Sequence, residues 1–412
     1  MKTVGIIAEY NPFHTGHAHH LKTARQKSGA DYVIVVMSPD FVQRGEPAVF
    51  DKFTRTRMAL QNGADLVLEL PVCYACGSAE YFARGAVTLL EKLKAVDTLC
   101  FGCETADASL LQSTAALLFQ EPEPYRRILK DGVRRGLTYP QARTEALRQC
   151  QKHDHTDLPS SWDEFFSSPN NILAIEYCKA LIRLSSSMEV LPVIREGNGY
   201  HSSALEGSFC SATAIRKAIA ARDSLPLSYI PEICRKDFEQ ACRYTLSSQD
   251  LLPLLTEKLL TTPDFSRILD ISPDLSDRMD NLRFSCIGKS WEEITDIIKT
   301  RQITKARIRR GMLHLILNLT DEAMNRFLSD GTVSYARILG FRRDAAPLLH
   351  HLKQSSTLPL ITKTASAASL LEETGKEMLR LDFTASHLYR SIRSLKYELP
   401  FRTEYEHSPV IL

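Results

Sequence analysis

The sequence has 412 residues, of which 44% are hydrophobic and 24% are charged, and its formal net charge is +2. This composition excludes collagen, a coiled coil and a largely disordered chain, and the length predicts two or three domains. No apolar run reaches the roughly 18 residues of a membrane span, and Glu9 interrupts the N-terminal run, so we expect a cytoplasmic protein.

Up to about residue 220, short apolar runs of strand length alternate with stretches of helical period. The runs predict strands at 4–8, 32–37, 66–70, 96–101 and 190–194. The stretches between them predict helices at 16–28, 51–62, 80–95, 108–119 and 171–185. Continuous apolar strands separated by helices are typical of a parallel sheet covered on both faces, which binds ligands at the carboxyl ends of its strands.

The remaining segments predict the domain organisation. Residues 151–170 are polar and are expected to form a loop or lid, and residues 197–211 are expected to form a second loop. Two prolines within 224–231 indicate a boundary, which divides the chain into 1–225 and 226–412. Beyond the boundary, apolar periodicity predicts helices, with one late strand at 359–364. The expected fold is a Rossmann-like parallel-sheet α/β domain followed by a mainly helical C-terminal domain.

The junction between the first strand and the first helix carries the first chemical signal. Pro12 ends the strand because it lacks a backbone donor, and Gly16 lets the backbone approach a ligand closely. His14 and His17 lie three residues apart, so they share one face if a helix begins here. Free amides at a helix start favour an anion, and two imidazoles beside them can donate to charge developing on the α-phosphate of a triphosphate. The alternatives are a metal site built from the histidines of this stretch and a helix start without a role.

Further polar residues are predicted to meet at the same edge of the sheet. They are Ser38, Asp40, Arg44, Gly102, Asn170, Asn171 and Arg195. Gly102 leaves room where adenosine would press on the backbone, although glycine is also common in turns. Asn170 and Asn171 open a helix, where asparagine is often only a cap. Arg195 follows the last strand and is either a phosphate or ribose contact or a surface partner of Glu196.

Residues 211–216 open another helix with two hydroxyl residues ahead of an arginine. Ser211, Thr213 and Arg216 can therefore form a second anion site. Neither a Gly-x-x-x-x-Gly-Lys phosphate loop nor a Gly-x-Ser-x-Gly elbow is present in the sequence.

Two Cys-x-x-Cys pairs, Cys73 with Cys76 and Cys100 with Cys103, have the spacing of a zinc ribbon. However, Cys100 lies within a predicted strand, and a predicted helix separates the pairs. We therefore expect buried, reduced thiols and no metal site.

A basic stretch at 299–310 contains six cations and no acid. Its cations are Lys299, Arg301, Lys305, Arg307, Arg309 and Arg310. In a nearly neutral chain this local excess predicts contacts with RNA phosphates, although a charged run is often only a solvated helix face. Further cations near the C-terminus and the rings of Tyr335, Phe341, Tyr389 and Tyr397 are expected to assist by stacking on unpaired bases.

Three stretches together carry a family resemblance. They read Ile7-Ala8-Glu9-Tyr10-Asn11-Pro12-Phe13-His14-Thr15-Gly16-His17, Phe41-Val42-Gln43-Arg44-Gly45-Glu46-Pro47-Ala48 and Asp51-Lys52. The His-x-Gly-His run is similar to the nucleotidyltransferase signature, and the wider pattern resembles bacterial tRNA(Met) cytidine acetate ligases along the length of the chain. Residues 211–216 resemble the element that holds the β- and γ-phosphates in nucleotidyltransferases. Pro39-Asp40 departs from the Gly-Asn that this family usually has.

The resemblance implies a two-step reaction. ATP, with Mg²⁺, activates acetate as acetyl-adenylate, and the acetyl group passes to N4 of the wobble cytidine of elongator tRNA(Met). His14 and His17 would stabilise the first transition state, and Asp40 would reach the Mg²⁺ or orient a histidine. The alternatives are a small-molecule adenylyltransferase and a non-catalytic RNA-binding protein on the same fold.

The expected partners are tRNA and acetate, without a membrane or DNA. The residues expected to bind ATP are Ile7, Ala8, Glu9, Tyr10, Asn11, Pro12, Phe13, His14, Thr15, Gly16, His17, Ala18, His19, His20, Gly102, Asn170, Asn171, Arg195, Ser211, Thr213 and Arg216.

Overall fold

The computed structural model describes residues 1–151, 162–195, 210–221 and 225–412. Its strands are β1 Thr3–Ala8, β2 Tyr32–Met37, β3 Phe41–Val42, β4 Glu46–Pro47, β5 Leu66–Glu69, β6 Thr98–Cys103, β7 Glu189–Ile194, β8 Ala336–Phe341, β9 Leu360–Ile361 and β10 Val410–Ile411. Its helices in the first part of the chain are α1 Thr15–Ser28, α2 Lys52–Gln61, α3 Val72–Ala75, α4 Ala79–Lys92, α5 Ala108–Gln120, α6 Glu123–Arg134, α7 Tyr139–Gln151, α8 Trp162–Ser167, α9 Pro169–Arg183 and α10 Ala212–Ala221.

The later helices are α11 Arg235–Ala241, α12 Leu252–Thr261, α13 Pro273–Leu282, α14 Trp291–Ile298, α15 Lys305–Leu317, α16 Asp321–Ser329, α17 Ala346–Ser355 and α18 Glu373–Tyr397. Each of the five predicted strands and five predicted helices of the first part corresponds to one of these elements. Among the described residues, no helix is both long enough and apolar enough to cross a membrane.

The central sheet has the strand order β10-β8-β5-β2-β1-β6-β7, with β9 beside β8. The five strands from β5 to β7 in this order run parallel, which confirms the predicted parallel sheet. β8 pairs with β5 in the antiparallel direction. The late strand predicted at 359–364 is confirmed as β9, which pairs with β8. The sheet is therefore continuous across the boundary expected at residue 225, and the division into two domains remains a prediction.

The hydrophobic pattern explains why the sheet is covered on both faces. In β2, Val33 and Val35 belong to one apolar cluster, whereas Ile34 and Val36 belong to another. Successive side chains of a strand point to opposite faces, so a run that is apolar at every position buries both. A third cluster around Trp291 gathers the later helices and reaches Phe41 of β3. The helical region thus packs beside the carboxyl ends of the sheet.

The loop predicted at 151–170 is wrong in its second half. Residues 162–167 form α8, and α9 begins at Pro169. Trp162, Phe165 and Phe166 contact one another edge-to-face or stacked, so their rings form an apolar face that supports a helix. Residues 152–161 and most of the second expected loop, 197–209, lie outside the described residues.

Five buried charged residues join the sheet to the C-terminal segment. Lys52 lies 2.6 Å from Glu69 and 3.2 Å from Glu404. Arg337 pairs with Glu69 at 2.8 Å and also with Glu404, and Arg390 pairs with Glu404 at 2.8 Å. We call these five residues the buried charge cluster. Buried ions are tolerated only when they are paired, so each member depends on the others.

Candidate active site

A cavity of about 270 Å³ lies at the carboxyl ends of β1, β6 and β7. Ligands of parallel α/β sheets bind at this edge. The residues expected to bind ATP that line it are Ile7, Ala8, Glu9, Tyr10, Asn11, His14, Gly16, His17, His19, His20, Gly102, Asn170, Arg195, Ser211, Thr213 and Arg216. Segments far apart in the chain therefore meet in one cleft, and Arg216 contacts Asn11, 205 residues away.

His14 and His17 stand at the start of α1. Nδ1 of His14 accepts the backbone N–H of Gly16 at 3.1 Å, and Nδ1 of His17 accepts the backbone N–H of His14 at 3.3 Å. The two ring centroids are 3.8 Å apart. Because Nδ1 accepts in both neutral rings, the proton of each ring is on Nε2. Nε2 of His14 is buried without a hydrogen-bond partner among the described residues, so it is a donor available to a ligand.

The electrostatics of the cleft favour an anion. Burial lowers the pKa of His14 to about 3, and the charges of Arg195 and Arg216 act in the same direction. Burial, His14 and Arg195 also lower the pKa of His17 well below its usual value, and burial lowers the pKa of His20 to about 4. At neutral pH the imidazoles are therefore neutral donors, and the arginines supply the positive charge.

Gly102 and Arg195 fit together at the ends of β6 and β7. A Cβ at Gly102 would lie 3.1 Å from Cγ of Arg195, so the missing side chain makes room for the arginine. The backbone N–H of Arg195 donates to the carbonyl of Cys103 at 3.0 Å. Burial lowers the pKa of Arg195, and the nearby Glu104 opposes this effect. The guanidinium stays charged, because its ordinary pKa is far above neutral pH.

Helix α10 closes the other side of the cleft. The hydroxyl of Ser211 accepts the backbone N–H of Ala214 at 3.1 Å, which caps the helix. Arg216 donates to the carbonyl of Asn11 at 2.7 Å and lies 3.3 Å from the hydroxyl of Thr213. The arginine thus ties the start of α10 to the loop that carries the two histidines.

The two asparagines at the start of α9 have different positions. Asn170 lines the cavity and donates to Glu104 at 2.6 Å. Asn171 is 1% exposed and does not line the cavity. Its side-chain oxygen accepts the backbone N–H groups of Glu104 and Thr105, both at 3.0 Å. The alternative interpretation of Asn171, a structural cap without ligand contact, therefore agrees with the structure.

The structure does not bring Asp40 into the cleft, which corrects the expectation that it reaches a ligand or a histidine. Its carboxylate accepts the backbone N–H of Lys52 at 2.9 Å and the hydroxyl of Ser386 at 2.7 Å, and the residue is 1% exposed. Asp40 thus binds the first amide of α2 and joins this helix to α18. Four residues of the histidine junction also lie outside the cavity lining: Pro12, Phe13, Thr15 and Ala18.

Sequence reasoning missed part of the cleft wall. The β3–β4 hairpin contributes Gln43, Arg44 and Glu46, of which only Arg44 was expected at this edge. The backbone N–H of Gln43 donates to Glu9 at 2.8 Å. Helices α4 and α9 contribute apolar side chains, namely Phe82, Leu173 and Tyr177. Their positions fit an ordinary core face, so the sequence gives no signal for them.

The predicted basic stretch is largely neutralised by partners within the chain. Arg309 pairs with Glu292 at 2.6 Å and with Glu46 at 3.3 Å. Arg310 holds Asp270 through two bonds of 2.7 and 3.1 Å. Lys305 pairs with an acid 2.5 Å away, and Arg307 donates to a backbone carbonyl. Only Lys299 and Arg301 of the six cations are exposed.

The stacking role expected for two tyrosines is wrong. Tyr335 is 1% exposed and donates to Asp382, and Tyr389 is 0% exposed and donates to the carbonyl of Ala48. Apolar neighbours enclose both rings, so neither can reach a base. Phe341 and Tyr397 are only half-buried.

The four cysteines of the two Cys-x-x-Cys pairs are buried free thiols. Cys73 and Cys103 belong to one apolar cluster, and Cys76 and Cys100 belong to two others. Burial raises the pKa of Cys100 and of Cys103 to about 12, so both side chains are neutral thiols at neutral pH.

Comparison with known proteins identifies the family. A profile described as HIGH Nucleotidyl Transferase matches residues 1–401. The tRNA(Met) cytidine acetate ligase of Acetivibrio thermocellus is 37% identical over 401 residues, which cover 94% of each chain. That of a Thermoanaerobacter species is 39% identical over 394 residues, covering 94% of this chain and 95% of the relative.

Solved structures agree. Apo Thermotoga maritima TmcAL has a TM-score of 0.92 at 29% identity, with complete coverage of both chains. The same protein bound with alpha-thio ATP has a TM-score of 0.90 at 29% identity, again with complete coverage. The chain therefore belongs to the HIGH nucleotidyltransferases and, among them, to the tRNA(Met) cytidine acetate ligase family.

Proposed function

We propose that this protein is an ATP-dependent ligase that acetylates N4 of the wobble cytidine of elongator tRNA(Met) in the cytoplasm. The observation that carries the proposal is the convergence of two imidazoles and two arginines on one cleft at the sheet edge, where Nε2 of His14 has no hydrogen-bond partner among the described residues. The names of the relatives supply the chemistry of the substrates, and one relative was solved with an ATP analogue.

The first step is adenylation. An oxygen of acetate attacks the α-phosphorus of ATP, a new P–O bond forms, and the bond to the leaving pyrophosphate breaks. Charge grows on the α-phosphoryl oxygens and on the leaving group. His14 and His17 donate from Nε2 to the former, and Arg216 and the start of α10 bind the latter.

The second step is acyl transfer. N4 of the cytidine attacks the carbonyl carbon of acetyl-adenylate, the C–N bond forms and AMP leaves while N4 loses a proton.

The described residues fit ATP in charge. The unpartnered Nε2 of His14 needs an acceptor, and Arg195, packed on Gly102, lines the same cavity and offers its guanidinium to a phosphate or ribose. Mg²⁺ would enter with ATP and neutralise part of the phosphate charge. We assign no protein ligand to it.

We propose that residues 1–225 bind ATP and that residues 226–412 contribute to tRNA binding, with Lys299 and Arg301 as exposed cations of the basic stretch. The paired Arg309 and Arg310 support the structure. Arg309 holds the β3–β4 hairpin through Glu46. Gly45 of that hairpin has a left-handed backbone conformation and lies against α15, where a Cβ on Gly45 would come within 2.6 Å of the helix backbone.

One pair of assays tests the proposed function. ATP–pyrophosphate exchange is measured with and without acetate, and transfer of radioactive acetate to tRNA is measured next. Acetate-dependent exchange together with labelled tRNA is the expected result. Exchange that depends only on another small molecule would indicate a cofactor adenylyltransferase. Bound tRNA without any exchange would indicate a non-catalytic RNA-binding protein.

A further inference from the structure

A second basic surface lies on α6, outside the cleft and outside the stretch at 299–310. Its cations are Arg126, Arg127, Lys130 and Arg134, which the helix presents toward solvent. At about 100° per residue they fall within an arc of roughly 100° around the helix. Arg126, Lys130 and Arg134 form a row with a spacing of about 6 Å along the axis. We call these four residues the α6 basic face.

The α6 basic face keeps its charge, unlike the stretch at 299–310. Among the described residues, Arg127, Lys130 and Arg134 have no carboxylate partner within 4 Å. Arg126 has only Glu123, at 3.6 Å, and both side chains are more than half exposed, so water screens the pair. Glu123 is also the one acid that shares the arc. Within this arc four cations face one acid, so the surface carries a net excess of positive charge.

The opposite side of α6 explains why these cations face solvent. Tyr125 is fully buried, and Ile128 and Leu129 pack against the main apolar cluster. Gly132 faces Ala142 of α7, where a Cβ would lie 2.9 Å from the Cβ of Ala142. The glycine thus lets α6 and α7 approach closely and form a helical hairpin. The hairpin is held by its apolar side, and no packing role remains for its charged side.

A chain of contacts connects this hairpin to the cleft. Arg143 of α7 lies over the ring of Phe166 in α8, 5.6 Å from its centroid. Phe165, beside it, accepts the side chain of Asn171 through its backbone carbonyl at 3.2 Å. Asn170, the next residue toward the cleft, lines the cavity. The hairpin therefore packs against the segment that forms one wall of the cleft.

We propose that the α6 basic face binds the phosphate backbone of the tRNA whose nucleotide enters the cleft. This inference rests on the proposed function and adds a location for the RNA. A nucleic-acid backbone offers a regular row of negative charges, which matches a row of unpaired cations at helical spacing. Contacts of this kind fix the position of the RNA without reading its sequence.

The test replaces the four cations by glutamine, a residue that is also favourable in helices. The variant carries Arg126→Gln, Arg127→Gln, Lys130→Gln and Arg134→Gln. We expect acetate-dependent ATP–pyrophosphate exchange to stay within about twofold of the wild type. The KM for tRNA in the labelling assay should rise at least about tenfold. The dependence of log Kd on log salt should flatten by about 0.7 to 0.9 for each phosphate that the variant no longer neutralises.

A matched control removes the same charge from exposed positions elsewhere. It carries Lys236→Gln, Lys353→Gln, Lys363→Gln and Arg402→Gln. This control should keep the wild-type KM for tRNA. An α6 variant that binds tRNA as tightly and with the same salt slope as the control overturns the inference. Wild-type protein without acetate-dependent exchange would instead refute the proposed function, and the binding comparison would still judge the α6 basic face.

Discussion

At the scale of single residues, the tautomers of the two histidines determine what they can do. Each Nδ1 accepts a backbone N–H, so each neutral ring donates through Nε2. His17→Asn keeps an acceptor near the Nδ1 position and removes the distal donor. We expect the rate of ATP–pyrophosphate exchange to fall about 10²- to 10³-fold, because removing an oxyanion donor costs about that much.

The matched control is His17→Gln, whose amide nitrogen lies near the position of Nε2. This variant should retain more exchange activity than His17→Asn, and both should melt close to the wild-type temperature. Equal activity in the two variants would contradict a role for the Nε2 donor.

Burial of His14 also predicts a dependence of stability on pH. Its pKa is lowered by burial, and by Arg195 and Arg216, to about 3 in the folded protein, whereas an unfolded histidine has a pKa of about 6.5. Between these two values the unfolded chain binds a proton at this histidine and the folded chain does not. The free energy of unfolding therefore falls as the pH falls from about 6.5 toward 3. His14→Asn, which retains a capping acceptor, should lose stability less steeply over this range.

Urea denaturation between pH 7.5 and pH 4.5 measures this difference. The exposed His350→Asn is the control and should follow the wild-type slope. If the free energy of unfolding fell equally with pH in His14→Asn and in the wild type, His14 would accept a proton as easily in the folded protein as in the unfolded chain.

Local chemistry made some of these residues predictable. His14, His17 and Gly102 lie at the ends of strands whose apolar runs are plain in the sequence. Since ligands bind at the carboxyl ends of parallel strands, these residues could be predicted to lie together. Asp40 has the same sequence position relative to its strand, yet its carboxylate turns to the N-terminus of α2 and to Ser386, 346 residues further on. No local pattern reveals a partner at that distance.

At the scale of elements, helix α2 holds two loops of the cleft through one side chain. Arg55 is 0% exposed and donates to the carbonyl oxygens of Phe50, Glu9, Ser38 and Pro39. A lysine keeps the charge but lacks the planar fork, so it cannot serve all four acceptors. Arg55→Lys should therefore destabilise the protein by about 2 kcal/mol and raise the KM for ATP.

Arg57 provides the control on the same helix. Its side chain is 47% exposed, and its contact with Asp237 is 3.8 Å long. Arg57→Lys should leave the melting temperature and the KM for ATP unchanged. If Arg55→Lys behaved in the same way, the loops would be held by other contacts.

Elements with a strong period were predictable, and those fixed by distant partners were not. The runs that became β1, β2 and β5 are largely apolar along their length, as a doubly covered sheet requires. The β3–β4 hairpin has only two residues in each strand and depends on α15 for support. Helix α8 was missed because its aromatic residues stand in an otherwise polar stretch.

At the scale of the whole molecule, the buried charge cluster joins segments from both halves of the chain. Burial alone would raise the pKa of Glu404, but Lys52, Arg337 and Arg390 outweigh this effect and hold its pKa well below the usual range. Glu404→Gln leaves three buried cations short of a negative partner. We expect it to lower the free energy of unfolding by about 3 kcal/mol, as breaking a buried ion pair does.

Chemical denaturation of Glu404→Gln measures this change. The exposed Glu372→Gln, which removes the same charge at the start of α18, should be close to neutral. Equal stability of the two variants would mean that the three cations find other partners.

The placement of β8, β9 and β10 has a consequence for synthesis. Until β8 has left the ribosome, β5 has an open edge and Glu69 lacks its partner Arg337. Lys52 lacks its second carboxylate until Glu404 has followed. The first half of the chain therefore cannot complete its fold before the second half is made, whereas independent domains often fold one after another. A translation product cut short before residue 336 would leave the edge of β5 unpaired and Lys52 and Glu69 without two of their buried partners, which makes it a target for chaperones and proteases rather than a partly working enzyme.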